Sequence, residues 1–289
     1  MGAVARTALL MGVLTVLLLV VGFAIGYLVG NVNLVLTIAF MFAMLLNIAT
    51  YWYADKWVLK LYKAKLVSEA EAPELHEIVG RLAENAKLPK PKVAIIPNDT
   101  PNAFATGRNA SHAVVAVTRG AINLLDKEQL EGVLGHEMAH VENKDMLVNT
   151  MAAMIAGAVA YVGMFGRFSL ISGGQRNREG GATILALLAV ILIPFAAMFV
   201  RLSISRTREY GADEEGAKIS GKPRALASAL RALESAVKNH PMQTGNPATS
   251  HMFIVNPFRG ASVVELLSTH PMTEKRIQRL EEMAASGKF

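Results

Sequence analysis

Apolar and polar positions divide this chain on two scales. Residues 7 to 54 carry no charged side chain. A single helix crossing about 30 Å of hydrocarbon does not need so many residues, and two do. The turn-forming residues "GNVN" at 30–33 divide the run. This predicts spans over 7–29 and 34–54. A cleaved signal peptide would also start after Arg6, but the run is too long for its apolar core and a second run follows at once. An uncleaved hairpin is therefore expected. The aromatics "YWY" at 51–53 suit the interfacial belt at the end of the second span. Two further uncharged runs, 147–166 and 180–200, flank the polar stretch "RFSLISGGQRNRE". They predict a second hairpin, either spanning or re-entrant, with a kink at Pro194.

Between and after these runs the periods shorten. Ser68 with Glu71 reads as a capping box opening a helix to about Lys87. "KVAIIP" (92–97) predicts a strand. "NAFATG" (102–107) and "SHAVVAVTRG" (111–120) predict a small hairpin or sheet edge. Asp126 with Gln129 caps a helix that runs through the HEMAH motif (136–140) of "GVLGHEMAHVENKDM" (132–146). Helices are expected at 204–220, over "KPRALASALRALESAVKN" and over about 272–285. The loop at 240–260, with three Pro and two Gly, is long enough to be functional.

Composition agrees with a membrane protein that carries a soluble part. Of 289 residues, 52% are hydrophobic and 18% charged, with mean hydropathy +0.34. The net charge of +6 comes from Lys and Arg beside apolar runs, the pattern of cytoplasmic flanks rather than of a nucleic-acid interface. No nucleic-acid partner is expected. The absence of Cys rules out disulfides and thiolate metal sites, so any metal must be held by His, Asp, Glu or water.

The chemistry concentrates in HEMAH. His136 and His140 are four apart, so on a helix they share a face and can reach one ion. Glu137 lies about a third of a turn away, where it can act as a base beside the metal without ligating it. A catalytic zinc needs a third protein ligand. Position 146 is Met, so a third His at the metzincin spacing is absent. "EYGAD" offers Glu209 as ligand and Asp213, one turn on, as acceptor from a ligating His. Spacing alone leaves Glu209 open between ligand and exposed helix charge. Topology adds a second reason: two uncharged runs at 147–200 return residue 209 to the membrane face of residue 136.

The motifs "NAFATG", "HEMAH", "SRTREYGAD" (205–213) and "STHP" (268–271) occur in that order behind an N-terminal hairpin. In this the chain resembles the HtpX family of membrane-integrated zinc metalloproteases, and more distantly the CAAX prenyl proteases. The resemblance implies one Zn2+ per chain on His136, His140 and Glu209. It implies endoproteolysis of misfolded or damaged membrane proteins by zinc-activated water, with Glu137 as general base. His270 is a candidate second donor to the tetrahedral oxyanion, or a structural His before a helix; Arg276 is a weaker candidate, read as a solvated helix charge. Asn102, Ala103 and Phe104 are candidates for a strand edge that pairs with extended substrate.

The expected fold is mainly α with a small β-sheet. About four transmembrane helices accompany a zincin-like catalytic domain built from the HExxH helix and an edge strand. Its parts are an N-terminal hairpin (1–54), a first catalytic part (55–146), a second hairpin (147–200) and a second catalytic part (201–289). Basic residues at 55–65 and Arg201, Arg206 and Arg208 place the catalytic parts in the cytoplasm, with the chain multi-pass in the cell membrane. Arg167, Arg176 and Arg178 oppose this unless the second hairpin is re-entrant. The expected partners are protein substrates, chiefly membrane proteins, and the lipid bilayer. A narrowly specific processing peptidase and a non-enzymatic chaperone with structural zinc are the alternatives.

Overall fold

The structure is a computed structural model describing residues 3–172, 205–258, 272–287 and 289. Two apolar helices, α1 (Ala3–Val29) and α2 (Val32–Leu61), open the chain, and each is long and apolar enough to cross a membrane. Gly30, at φ +77°, makes the turn between them, and the Asn31 side chain caps α2 by accepting from the Leu34 N–H. Inside the pair, Asn47 Nδ2 donates to Thr15 Oγ1 at 2.9 Å. Val16, Phe23, Met41 and Leu45 point outward and stay exposed.

The second helix does not stop at residue 54, as its uncharged run suggested, but continues to Leu61. Ala54, Val58 and Tyr62 recur every four residues and are buried, while Lys56 and Lys60 face out. Val58 and Tyr62 of this stripe dock the end of α2 onto Phe104 and Phe253. Charges inside the helix are tolerated because they lie on its far side.

The sheet has the order β1–β2–β4–β3: β1 (Lys65–Leu66), β2 (Lys92–Ile96), β3 (Ala103–Thr106) and β4 (Val114–Thr118). β2 and β4 are parallel, and the other two pairings are antiparallel. Both faces are covered, which explains the unbroken apolar character of "VVAVT". Val93, Val115 and Val117 face the main helical core, whereas Ala94, Ile96 and Phe104 face α2.

The helix α3 (Pro73–Asn85) begins later than the Ser68 signal implied. The Glu71 carboxylate does accept from Ser68 N and Oγ, both at 2.7 Å, but these bonds close a turn. Pro73, suited to a first helical position, starts the helix. α4 (Arg119–Leu124) leads to α5 (Lys127–Glu142), which opens with the capping box of Asp126 and Gln129.

After Lys144, at φ +56°, the chain turns into α6 (Asp145–Ser172). This helix extends past the expected end at 166. Val148, Ala152 and Ile155 bury against Leu10, Leu14 and Leu17 of α1. Residues 173–204, with Pro194 and the run at 180–200, lie outside the described residues. The chain resumes with α7 (Arg206–Ser220), α8 (Pro223–Asn239) and α9 (Thr273–Ser286).

α5 and α7 approach at two glycines. A Cβ on Gly216 would lie 2.6 Å from the His136 Cα and N, and one on Gly135 would lie 2.7 Å from the Gly216 carbonyl. Backbone, not a flexible side chain, is the obstacle. Gly216→Ala is therefore expected to cost about 1–3 kcal/mol through overpacking and to push α7 away from His136. Thermal unfolding of the variant in detergent checks this, and an unchanged midpoint would contradict it.

Candidate metal centre

The close approach of α5 and α7 puts three donor groups together. His136 and His140 stand on one face of α5, and Glu209 comes from the first turn of α7. One donor atom from each lies within 4.8 Å of the other two. His136 Nε2 is 3.8 Å from Glu209 Oε2, and His140 Nε2 is 3.6 Å from Glu209 Oε1. Ligands held about 2.0–2.1 Å from a tetrahedral zinc sit roughly 3.3–3.4 Å from one another. Two imidazoles and a carboxylate at this spacing fit a zinc ion with little movement.

Both imidazoles turn Nε2 toward Glu209 and Nδ1 away from it. His136 Nδ1 faces Asp213 Oδ1 at 3.0 Å, a contact that favours the tautomer with a proton on Nδ1 and a lone pair on Nε2. Asp213 is in turn gripped by Arg276. Nε donates to Oδ2 at 2.8 Å and Nη2 to Oδ1 at 2.7 Å. Arg276 Nη1 also donates to the Ile254 carbonyl at 2.8 Å.

Arg276 is thus no solvated helix charge, as the sequence suggested; it is 1% exposed. Its helix does carry the signal. Arg276 stands four before Leu280 and seven before Met283, on the apolar stripe. Burial raises the Asp213 carboxyl, but the Arg276 charge and its hydrogen bonds outweigh this and hold it well below the usual carboxylate range.

Glu137 is 2% exposed and is not among the three donors. Burial raises its carboxyl to about 7, opposed by His140 and by a hydrogen bond from the Ala105 backbone of β3. A divalent cation alongside would act in the lowering direction. Burial lowers the pKa of His140, yet Asp145, Glu209 and Glu137 together raise it to about 9. Three carboxylates thus crowd around one imidazole, a setting that suits a cation.

The other candidates stand as follows. β3 is the edge strand, but Asn102, Ala103 and Phe104 are fully buried. The Ile254 N–H donates to the Ala103 carbonyl at 3.3 Å, Asn102 Nδ2 donates to the Val255 carbonyl at 2.7 Å, and Phe104 packs on Tyr62 and Phe253. On this strand the Ala105 backbone hydrogen-bonds the Glu137 carboxyl of α5. His270 lies outside the described residues. Asp145, buried beside His140, escaped sequence reasoning: a lone acid at the edge of an apolar run carries no motif.

Apolar helices beside a three-donor cluster suit a metal-dependent enzyme of a membrane, and the relatives of the chain are metalloproteases of that class. The sequence pattern described as peptidase family M48 matches residues 69–284, and the chain belongs to that family. A protease HtpX homologue from Pyrococcus furiosus is 55% identical over 280 residues, 96% of this chain and 95% of that one. One from Salinibacter ruber is 52% identical over 281 residues, 96% of this chain and 97% of that one. Among solved structures, S. mikatae Ste24p aligns with 91% of this chain and 62% of its own at 17% identity, with a TM-score of 0.49. The resemblance to the HtpX family is borne out.

Proposed function

We propose that the protein is a zinc endopeptidase of the cell membrane that cleaves misfolded or damaged membrane proteins at its cytoplasmic face. The carrying observation is the pairing of a three-donor cluster with a buried carboxyl that is not part of it. A purely structural zinc has no use for Glu137. Zinc held by His136, His140 and Glu209 would polarise a scissile carbonyl and acidify water beside it. Glu137 takes a proton from that water on its carboxylate and passes it to the leaving amine. Asp213, gripped by Arg276, keeps His136 in the ligating tautomer. The His270 imidazole is the candidate donor to the developing oxyanion.

The choice of substrate rests on placement. His140 and the first residue of α6 are five positions apart, and α6 packs on the membrane helix α1. This closeness of the site to α1 supports substrates that leave the bilayer beside it. The basic residues at 55–65 and around Arg206 support the cytoplasmic side.

The test is metal removal. Detergent-purified protein should hold one zinc per chain, lose cleavage of an unfolded membrane protein when chelated, and regain it with zinc. The acidic groups around His140 raise its pKa, so zinc competes with a proton there and apparent affinity should rise with pH. Calorimetry in buffers of different ionisation enthalpy reads the released proton. Undiminished cleavage by metal-free protein would overturn the reading.

A further inference from the structure

The two histidines are supported in parallel, but by different parts of the chain. His136 leans on Asp213, which Arg276 of the catalytic domain holds. His140 faces Asp145, the first residue of α6, which is 2% exposed. Its Nδ1 is buried, makes no hydrogen bond, and lies 3.7 Å from Asp145 Oδ2.

The other oxygen of Asp145 is the anchored one. Oδ1 accepts from Arg208 Nη1 at 3.0 Å and from Arg6 Nη2 at 2.5 Å. Arg208 adjoins Glu209 on α7. Arg6 stands in the first turns of the apolar helix α1, 139 positions from its partner. Two guanidinium groups on one oxygen fix the rotation of the carboxylate, and the free oxygen is left facing the imidazole. The start of α6 adds the positive end of a helix dipole to the same carboxylate.

We propose that Asp145 is a positioning residue for the metal centre, and that Arg6 holds it in place, so that the N-terminal membrane helix helps set metal affinity. The inference rests on reading His136, His140 and Glu209 as the ligands. The charge of Asp145 Oδ2, 3.7 Å from Nδ1, favours the His140 tautomer with its proton on Nδ1. Nε2 then keeps its lone pair toward the side where Glu209 Oε1 lies, 3.6 Å away. A structural ion pair alone would tie α1 to α6 without touching metal affinity. The imidazole in front of Oδ2 is what separates the two roles.

The experiment uses the full chain in detergent. Zinc affinity is measured by competition with a chromophoric chelator, Co2+ binding by its visible absorption, and thermal unfolding on metal-free protein. Asp145→Asn should weaken zinc by about 10–100-fold and shift the cobalt bands. Arg6→Ala should weaken it by roughly tenfold or less, because Arg208 remains, and Arg6→Lys should recover part of the loss, keeping the charge without the planar fork. These changes should exceed whatever follows from altered stability of the metal-free protein. If wild-type protein binds one zinc tightly and both Asp145→Asn and Arg6→Ala stay within about twofold of it, the positioning role is overturned, whatever their melting temperatures. If wild-type protein takes up no zinc, the ligand assignment itself fails and this inference falls with it.

Discussion

Glu137→Gln should retain one zinc per chain and lose cleavage by about 10²–10⁴-fold. The substitution keeps the shape of the side chain and removes its capacity to take a proton. None of the three donors changes, so metal content should not. The fold should tolerate it, because a carboxyl that burial raises to about 7 is already poorly suited to charge at that position. In the proposed mechanism the ionised carboxylate is the base, so cleavage should rise with pH through the Glu137 pKa and fall below it. A cation alongside lowers that pKa, which puts the acid limb at or below about 7. Parallel assays of zinc content and cleavage across pH check both parts. Cleavage near wild-type levels would remove Glu137 from its role.

The second large effect belongs to Arg276. Arg276→Ala should destabilise the protein by about 3–5 kcal/mol, since it leaves Asp213 as an uncompensated buried charge. His136 would lose its firm acceptor, and the Ile254 carbonyl would lose its donor. Arg276→Lys should recover only part, because an ammonium cannot reproduce the paired bonds to the two carboxylate oxygens. Adding Asp213→Asn to Arg276→Ala should restore stability relative to Arg276→Ala alone by removing the unpaired charge. Thermal unfolding in detergent separates these variants. A loss below about 1 kcal/mol in Arg276→Ala would show that the buried pair does not carry this part of the fold.

These two residues mark what a single sequence makes legible. Glu137 was readable because spacing in HExxH maps onto helix geometry without reference to the rest of the chain. The same holds for the capping box of Asp126 and Gln129, and for the strand "KVAIIP". Glu209 was readable only as one of two alternatives, since its partner lies 69 or 73 positions away and nothing local marks a contact of that range. Arg276 was misread because charge outweighed its place on an apolar stripe. Asp145 and Arg6 were not readable at all. Their meeting depends on α1 folding back onto α6, and neither residue sits in a pattern that specifies the other. The extension of α2 to Leu61 was hidden for a related reason. Its charged residues look like the end of a span, and the buried positions Val58 and Tyr62 gain their meaning only from the aromatic cluster they meet. At β3 the edge position was legible, but not the cover that residues 254 and 255 place over Asn102 and Ala103.

The zinc content of Glu209→Ala bears most directly on how the two catalytic helices cooperate. Of the three proposed ligands, Glu209 is the one that α5 does not supply, and its place beside His136 and His140 depends on the close contact of α5 with α7. Elemental analysis of detergent-purified full-length chain should find one zinc in wild-type protein and less than about a tenth of that in Glu209→Ala after dialysis against a chelator that leaves wild-type protein loaded. Full zinc occupancy together with undiminished cleavage in Glu209→Ala would contradict the assignment.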